Sequence, residues 1–164
     1  MSRVCLLKYS SEVFGDSFNL GDEIQTLAAS RLLPQVDDYV CREALDQVLE
    51  PCTVLLNGYF MNTDHWPPAA AVRPVFYSFH VAAEAQAVLC SAKSIEYPRR
   101  WQTIGCRDRG TMQLLASHGV EAFYSRCLTL TLPRRIEAPE RGEVFIVGLN
   151  RAACQTVPRA LRRS

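Results

Sequence analysis

The chain has 164 residues, a formal net charge of +1 and a hydrophobic fraction of 48%. That size fits one domain, or one domain and the start of another, with enough apolar material for a packed core. The near-neutral balance gives no field for nucleic acid or an anionic membrane surface. No apolar run reaches membrane-spanning length, so no membrane span is expected.

In chain order, Val4–Tyr9 is an apolar run of strand length. The segment Asn19-Leu20-Gly21-Asp22-Glu23 follows it, reading as a glycine turn with φ > 0 and then a helix over Asp22–Leu33. Ile24, Leu27, Ala28, Leu32 and Leu33 would form its buried face, and Pro34 would end it. Asp22 and Glu23 sit in the first turn, where the macrodipole favours acids. They either cap the helix or accept hydrogen bonds from a hydroxyl-rich ligand. A short strand is expected at Val36–Val40, a helix at Arg42–Leu49 stopped by Pro51, and a buried strand at Thr53–Asn57. The loop Met61–Arg73 is long. Pro74–Phe79 reads as a strand with Ser78 and His80 at its carboxyl end, and helical propensity runs through Ala82–Ala92. Thr103–Cys106 is a short strand. Asp108 caps a helix over Arg109–His118, closed by Gly119. Glu121–Tyr124 and Cys127–Leu132 read as the last strands of a domain spanning 1–132. Residues 133–143 carry prolines and alternating charge and read as a linker. Residues 144–164 read as the start of a truncated second domain or a C-terminal tail.

Strands apolar on both faces, alternating with helices, predict an α/β Rossmann-like fold: a mostly parallel sheet with helices on both faces. Right-handed crossovers put all strand carboxyl ends along one edge, where such sheets bind ligands. The Gly21 turn, Asn57, His80 and Arg107 fall at or just beyond those ends. Seven cysteines, Cys5, Cys41, Cys52, Cys90, Cys106, Cys127 and Cys154, are scattered. No Cys-x-x-Cys pair occurs and no histidine lies at zinc-ligand spacing, so reduced, mostly buried thiols and no metal site are expected. Val4–Leu7 is too short for a signal-peptide core and is followed by Lys8. The expectation is a soluble, cytoplasmic protein.

Six segments carry a resemblance: the Asn19–Ala28 turn and helix start, Asn57-Gly58-Tyr59-Phe60-Met61, Trp66-Pro67-Pro68, Ser78-Phe79-His80, Ile104-Gly105-Cys106-Arg107-Asp108-Arg109-Gly110-Thr111, and Cys127-Leu128-Thr129-Leu130-Thr131. In this order, over about Phe18 to Pro133, they resemble the polysaccharide pyruvyl transferase family. The resemblance implies one half of a two-domain fold of GT-B type, with two Rossmann-like halves facing across a cleft. It implies transfer of pyruvate from phosphoenolpyruvate to two sugar hydroxyls as a cyclic ketal. Phosphoenolpyruvate is then a substrate, no cofactor is needed, and the partner is a sugar or oligosaccharide acceptor. Family members are about twice this length, so a homodimer or a partner chain would complete the cleft. The alternative is a non-catalytic sugar-binding or regulatory domain derived from that family.

In this reading Arg107 holds the donor anion, because a guanidinium fork matches carboxylate and phosphate; otherwise it pairs with Asp108 or Glu96. His80 does acid or base work, since imidazole changes charge near neutral pH, or else is a satisfied core or rim residue. Asp22 is the third catalytic candidate, as base. Asn19, Gly21, Glu23, Asn57, Gly58 and Asp108 are the substrate-binding candidates. Tyr59 and Trp66 either stack on a sugar or belong to the core. Arg126 stands where the resemblance places a small residue, usually glycine.

Overall fold

The computed structural model describes residues 3–9, 19–60, 65–134, 136 and 155–156. The chain divides into two compact units, Met1–Leu132 and Pro133–Ser164. In the second unit only 133, 134, 136, 155 and 156 are described. Most of the expected linker, all of the expected 144–149 strand and Cys154 lie outside the described residues.

Six strands of the first unit form one all-parallel sheet: β1 (Arg3–Lys8), β2 (Asp38–Cys41), β3 (Cys52–Phe60), β4 (Val72–Val81), β5 (Ile104–Cys106) and β6 (Ala122–Tyr124). Their order is β2-β1-β3-β4-β5-β6. Helix α1 (Leu20–Ser30) joins β1 to β2, and a 3-10 helix, Arg42–Gln47, joins β2 to β3. A 3-10 turn, Ala83–Ala85, then α2 (Gln86–Leu89) and α3 (Glu96–Arg100) lie between β4 and β5, and α4 (Arg109–Ser117) joins β5 to β6. The chain steps outward from β1 to β2, then returns past β1 to β3, so strand direction of travel reverses between β1 and β3. Ligands of doubly wound sheets bind at such a reversal. The α/β Rossmann-like fold read from the sequence is the fold observed. Among the described residues no helix is long and apolar enough to cross a membrane.

Strand alternation sorts the core onto two faces. Cys5, Leu7, Val54 and Leu56 pack with Leu45, Ala85, Leu89 and Leu115 on one face. Leu6, with the flanking Leu55, packs with Ala28 and Ala29 of α1 and with Leu128 on the other.

Several elements depart from the sequence reading, each for a local reason. Gly21 does not turn with positive φ. It lies inside α1, capped by Asn19, whose Oδ1 accepts from Gly21 N–H at 3.0 Å. A Cβ on Gly21 would stand 3.0 Å from that same oxygen, so closeness to the cap is what favours glycine there. The buried face of α1 is Asp22, Gln25, Thr26, Ala28 and Ala29, while Leu27 and Leu32 are exposed. Polar residues face inward because the sheet offers them partners: Thr26 Oγ1 donates to Leu7 O at 2.7 Å, and Asn57 Nδ2 donates to Gln25 O at 3.1 Å. The helix expected over 42–49 is 3-10, with Ala44 outside helical geometry. Helix α3, a single turn that holds Pro98, lies beyond the helical stretch expected over Ala82–Ala92. Cys127–Leu132 is not a strand. After β6 the chain turns at Arg126 (φ 67) and forms a 3-10 helix, Leu128–Thr131, that packs Leu128 against α1.

Strand β3 runs past Asn57 to Phe60, and its register with β4 shifts between Leu56 and Gly58. Leu56 faces Phe76 and Gly58 faces Phe79, so β4 carries one extra residue there. Ser78 has φ 59 and Gly58 has φ 85. This is a β-bulge, and it puts both Phe76 and Phe79 into the same core.

The backbone alone demands glycine at position 58. A Cβ there would meet Gln25 Cγ and the Tyr9 hydroxyl at 3.6 Å, ordinary contact. Gly58→Ala is therefore expected to cost about 1–2 kcal/mol, the left-handed penalty by itself. Urea unfolding of both proteins checks this, and equal midpoints would contradict it.

Candidate functional site

The carboxyl ends of β1, β3, β4 and β5, with α1 and the 3-10 helix Leu128–Thr131, gather a set of polar side chains. Its best-defined part is a carboxylate–imidazole pair. His80 Nδ1 hydrogen-bonds Asp108 Oδ2. Asp108 is also the N-cap of α4, its Oδ1 accepting from Thr111 N–H at 2.8 Å. Thr111 Oγ1 donates to Asp108 Oδ2 at 3.0 Å and accepts from Val81 N–H at 3.2 Å. Both carboxylate oxygens are thus engaged, from β4 by His80 and from the first turn of α4 by Thr111. Burial works against ionising Asp108, but the hydrogen bonds from His80 and Thr111 outweigh it and hold the carboxyl below its usual 3.8. The His80 ring stacks on Tyr59, with centroids 4.7 Å apart and 21° between planes.

Arg107 follows β5 on the same rim, its N–H donating to Phe79 O at 2.9 Å. Its guanidinium lies over the Tyr59 ring, 5.6 Å from the centroid. Asp108 is committed to His80 and Glu96 pairs with Arg99, so neither neutralises it. Among the described residues Arg107 makes no ion pair. Its charge is felt at Asp22 and at Cys127.

Asp22 is almost fully buried and paired with Arg42, Nη1 to Oδ2 at 3.1 Å. Burial raises the Asp22 carboxyl above its usual value, against the opposing pull of Arg42. Arg42 Nη1 also donates to Tyr59 O at 2.6 Å, its Nε donates to Glu43 Oε1 at 2.7 Å, and its guanidinium covers the Tyr9 ring at 4.6 Å. Burial pushes the Tyr9 phenol up to about 12. This cluster ties α1 to the end of β3.

Cys127 Sγ receives Gln25 Nε2 at 3.1 Å and lies 3.0 Å from Thr129 Oγ1. Burial raises this thiol, but the hydrogen bonds from Thr129 and Gln25 and the Arg107 charge leave it below the usual value. The other thiols with shifted values go the opposite way: burial pushes Cys106 up to about 12 and Cys5 to about 11. The six described cysteines are free, three of them fully buried. No group of three or more metal-ligating side chains occurs among the described residues.

Of the sequence candidates, His80, Arg107, Asp108 and Asp22 share this rim. Asp108, expected to bind substrate, is spent on His80 and the α4 cap. Asn57, expected to orient a hydroxyl, is wholly buried and holds α1 through Gln25 O. Asn19 is exposed but its side chain caps α1, and Glu23 is exposed on the first helical turn. Gly21 serves the cap and Gly58 the bulge. Trp66 belongs to the core, against Phe60, Phe79 and Tyr97. Sequence reasoning missed Arg42, Gln25 and Thr111. Only Thr111 left a signal, three residues after a capping aspartate. Comparison with protein-family models, curated proteins and solved structures gives no match.

Because Asp108 lies below 3.8 in the folded state, its ionised form stabilises the fold above that pH. That contribution disappears as pH falls through the depressed value. The stability gap between the protein and Asp108→Asn is therefore expected to shrink as pH falls below the unfolded carboxyl pKa. Denaturant titrations from that pH downward read this directly, and a gap that stays constant or widens there would contradict it.

Proposed function

We propose that this domain supplies one wall of a site that transfers pyruvate from phosphoenolpyruvate to two hydroxyls of a sugar, forming a cyclic ketal. One observation carries the reading: at the ligand edge of the sheet an imidazole oriented by a carboxylate and a guanidinium with no ion pair among the described residues rest on the same tyrosine ring, Tyr59. The segments that resemble pyruvyl transferases are the ones that contribute those groups.

The donor carries a carboxylate and a phosphate, and Arg107 binds one of them bidentately. With Nδ1 committed to Asp108, His80 presents Nε2 for proton transfer. Protonated His80 gives its proton to the enol carbon, and C2 becomes cationic. A sugar hydroxyl attacks C2 and passes its proton back to the imidazole. The C2–O bond to phosphate then breaks, and the second hydroxyl closes the ketal, its proton leaving with the phosphate. Asp22 is buried and engaged by Arg42, out of reach of a ligand, and in this mechanism it holds Arg42 against the end of β3. A homodimer or partner chain supplying the opposite wall, and a reducing cytoplasmic setting suited to the free thiols, belong to this proposal.

Calorimetric titration with phosphoenolpyruvate tests the donor assignment. Arg107→Ala is expected to weaken binding about tenfold, the value of one charge-assisted contact; unchanged affinity overturns it. With a galactoside or mannoside added and the opposite wall supplied, by a homodimer or a partner chain, phosphate release is expected to fall about 10²–10⁴-fold in His80→Ala while donor binding persists. Sugar binding with no donor binding would favour the non-catalytic alternative.

A further inference from the structure

We infer that the rim beyond Arg107 holds a second anion-binding subsite, built from Arg109, Arg126 and Tyr124, for a carboxylate or phosphate carried by the acceptor sugar. The assignment of its ligand to an acceptor rests on the proposed function; the subsite itself rests on geometry.

Cys106 and Tyr124 are register partners, so Arg107 and Ser125 leave β5 and β6 side by side. Arg109 opens α4 and its guanidinium lies over the Tyr124 ring, 5.2 Å from the centroid. Arg126 lies over the same ring at 6.0 Å. Two guanidiniums on one ring repel each other, and stacking on an exposed tyrosine returns only about 0.5–1 kcal/mol each. Among the described residues neither makes an ion pair. Both side chains are exposed, and Tyr124 is 41% exposed.

Arg126 carries a second cost. Its φ of 67 lies in the region glycine favours, a penalty of about 1–2 kcal/mol for any other residue. Its exposed side chain recovers none of that by burial. Glycine there would remove both the strain and the repulsion, yet the sequence keeps a guanidinium. An anion held between the two forks offsets both costs, because each fork donates paired N–H groups to a planar or tetrahedral oxyanion.

Position separates this subsite from the donor. His80 stands on β4 and Tyr124 on β6, two strand spacings or roughly 10 Å apart across the rim. A three-carbon donor held by His80 and Arg107 does not span that distance. An oligosaccharide lying along the rim does, and its next residue would bring a uronate carboxylate or a phosphate substituent over Tyr124.

Binding to the whole chain, with no phosphoenolpyruvate present, tests this. The probes are a digalacturonate, a phosphorylated galactoside and neutral galactobiose. At least one anionic probe is expected to bind more tightly than the neutral sugar, with the advantage falling as salt rises. The tighter of the two identifies the source as carboxylate or phosphate. Arg126→Gly is the decisive variant, because it relieves strain. Its melting temperature is expected to rise while affinity for the anionic probe falls about fivefold, and Arg109→Gln is expected to weaken that probe similarly. No preference for anionic probes, or full affinity retained by the folded Arg126→Gly protein, overturns the subsite. Either result leaves the Arg107 test of donor binding standing, and a failure of phosphate release leaves this one standing.

Discussion

The extra residue in β4 at Ser78 sets the geometry of the whole rim. A strand with strict alternation would send Phe76, Ser78 and His80 to one face. The bulge instead turns Phe79 into the same core as Phe76 and places His80 on the side where Tyr59 and Asp108 wait. Ser78 remains fully buried in a left-handed conformation, and its polar atoms account for that strain. Its N–H donates to Ser125 Oγ at 3.0 Å, and its Oγ accepts from Leu128 N–H at 3.1 Å. Ser125 Oγ in turn donates to Cys106 O at 3.0 Å. One irregular residue thus fixes β4, the end of β5 and the 3-10 helix that follows Cys127. Bulges of this kind are common beside active sites, where they re-aim a side chain.

The second constraint is the buried charge at the β1/β3 reversal. Arg42 enters the core only because Asp22 and Glu43 neutralise it and Tyr59 O accepts a further N–H bond from it. Removing one partner of such a pair typically costs about 3–5 kcal/mol, since the other charge is left stranded. The pair therefore acts as a clamp. It binds the first turn of α1 to the residue whose ring supports both His80 and Arg107. Thr26 and Asn57 fasten the same helix a turn further on. The polar inner face of α1 is thereby explained: it is spent on aligning a helix at the ligand edge rather than on apolar burial.

The fold was legible because a parallel sheet writes a plain pattern, short apolar strands alternating with helices and glycine or proline stops. The site was legible in part. His80 and Arg107 stand directly after strands, where topology alone brings them to one edge. What stayed hidden depended on tertiary contacts. Nothing local marks Arg42 as buried: Glu43 is its neighbour in sequence, but the partners that hold it inside, Asp22 and Tyr59 O, come from α1 and β3. Gly21 and Gly58 show the ambiguity of glycine: one was expected to have positive φ and is helical, the other takes φ 85 within a strand. Cys127–Leu132 alternates like a strand, yet among the described residues β6 is the last strand of the sheet, and Arg126 turns the chain away toward α1. The leucines of α1 suggested an inward face that Thr26 and Asn57 hydrogen bonds, invisible in periodicity, assign to other residues.

Charge is distributed across the rim in a way that single residues do not reveal. The buried guanidinium, Arg42, has two carboxylates to itself. The cations on the outer rim, Arg107, Arg109 and Arg126, have none among the described residues. Acids are not scarce nearby: Asp108 adjoins both Arg107 and Arg109, yet His80 and Thr111 take its oxygens. Each arginine instead rests on a tyrosine, Tyr59 or Tyr124. A ring face orients a guanidinium while leaving its N–H edge open, which a carboxylate would occupy. The arrangement thus preserves positive potential and in-plane donors along one edge of the sheet in a chain whose net charge is only +1. Such an edge favours a ligand with more than one negative group, set out along its length.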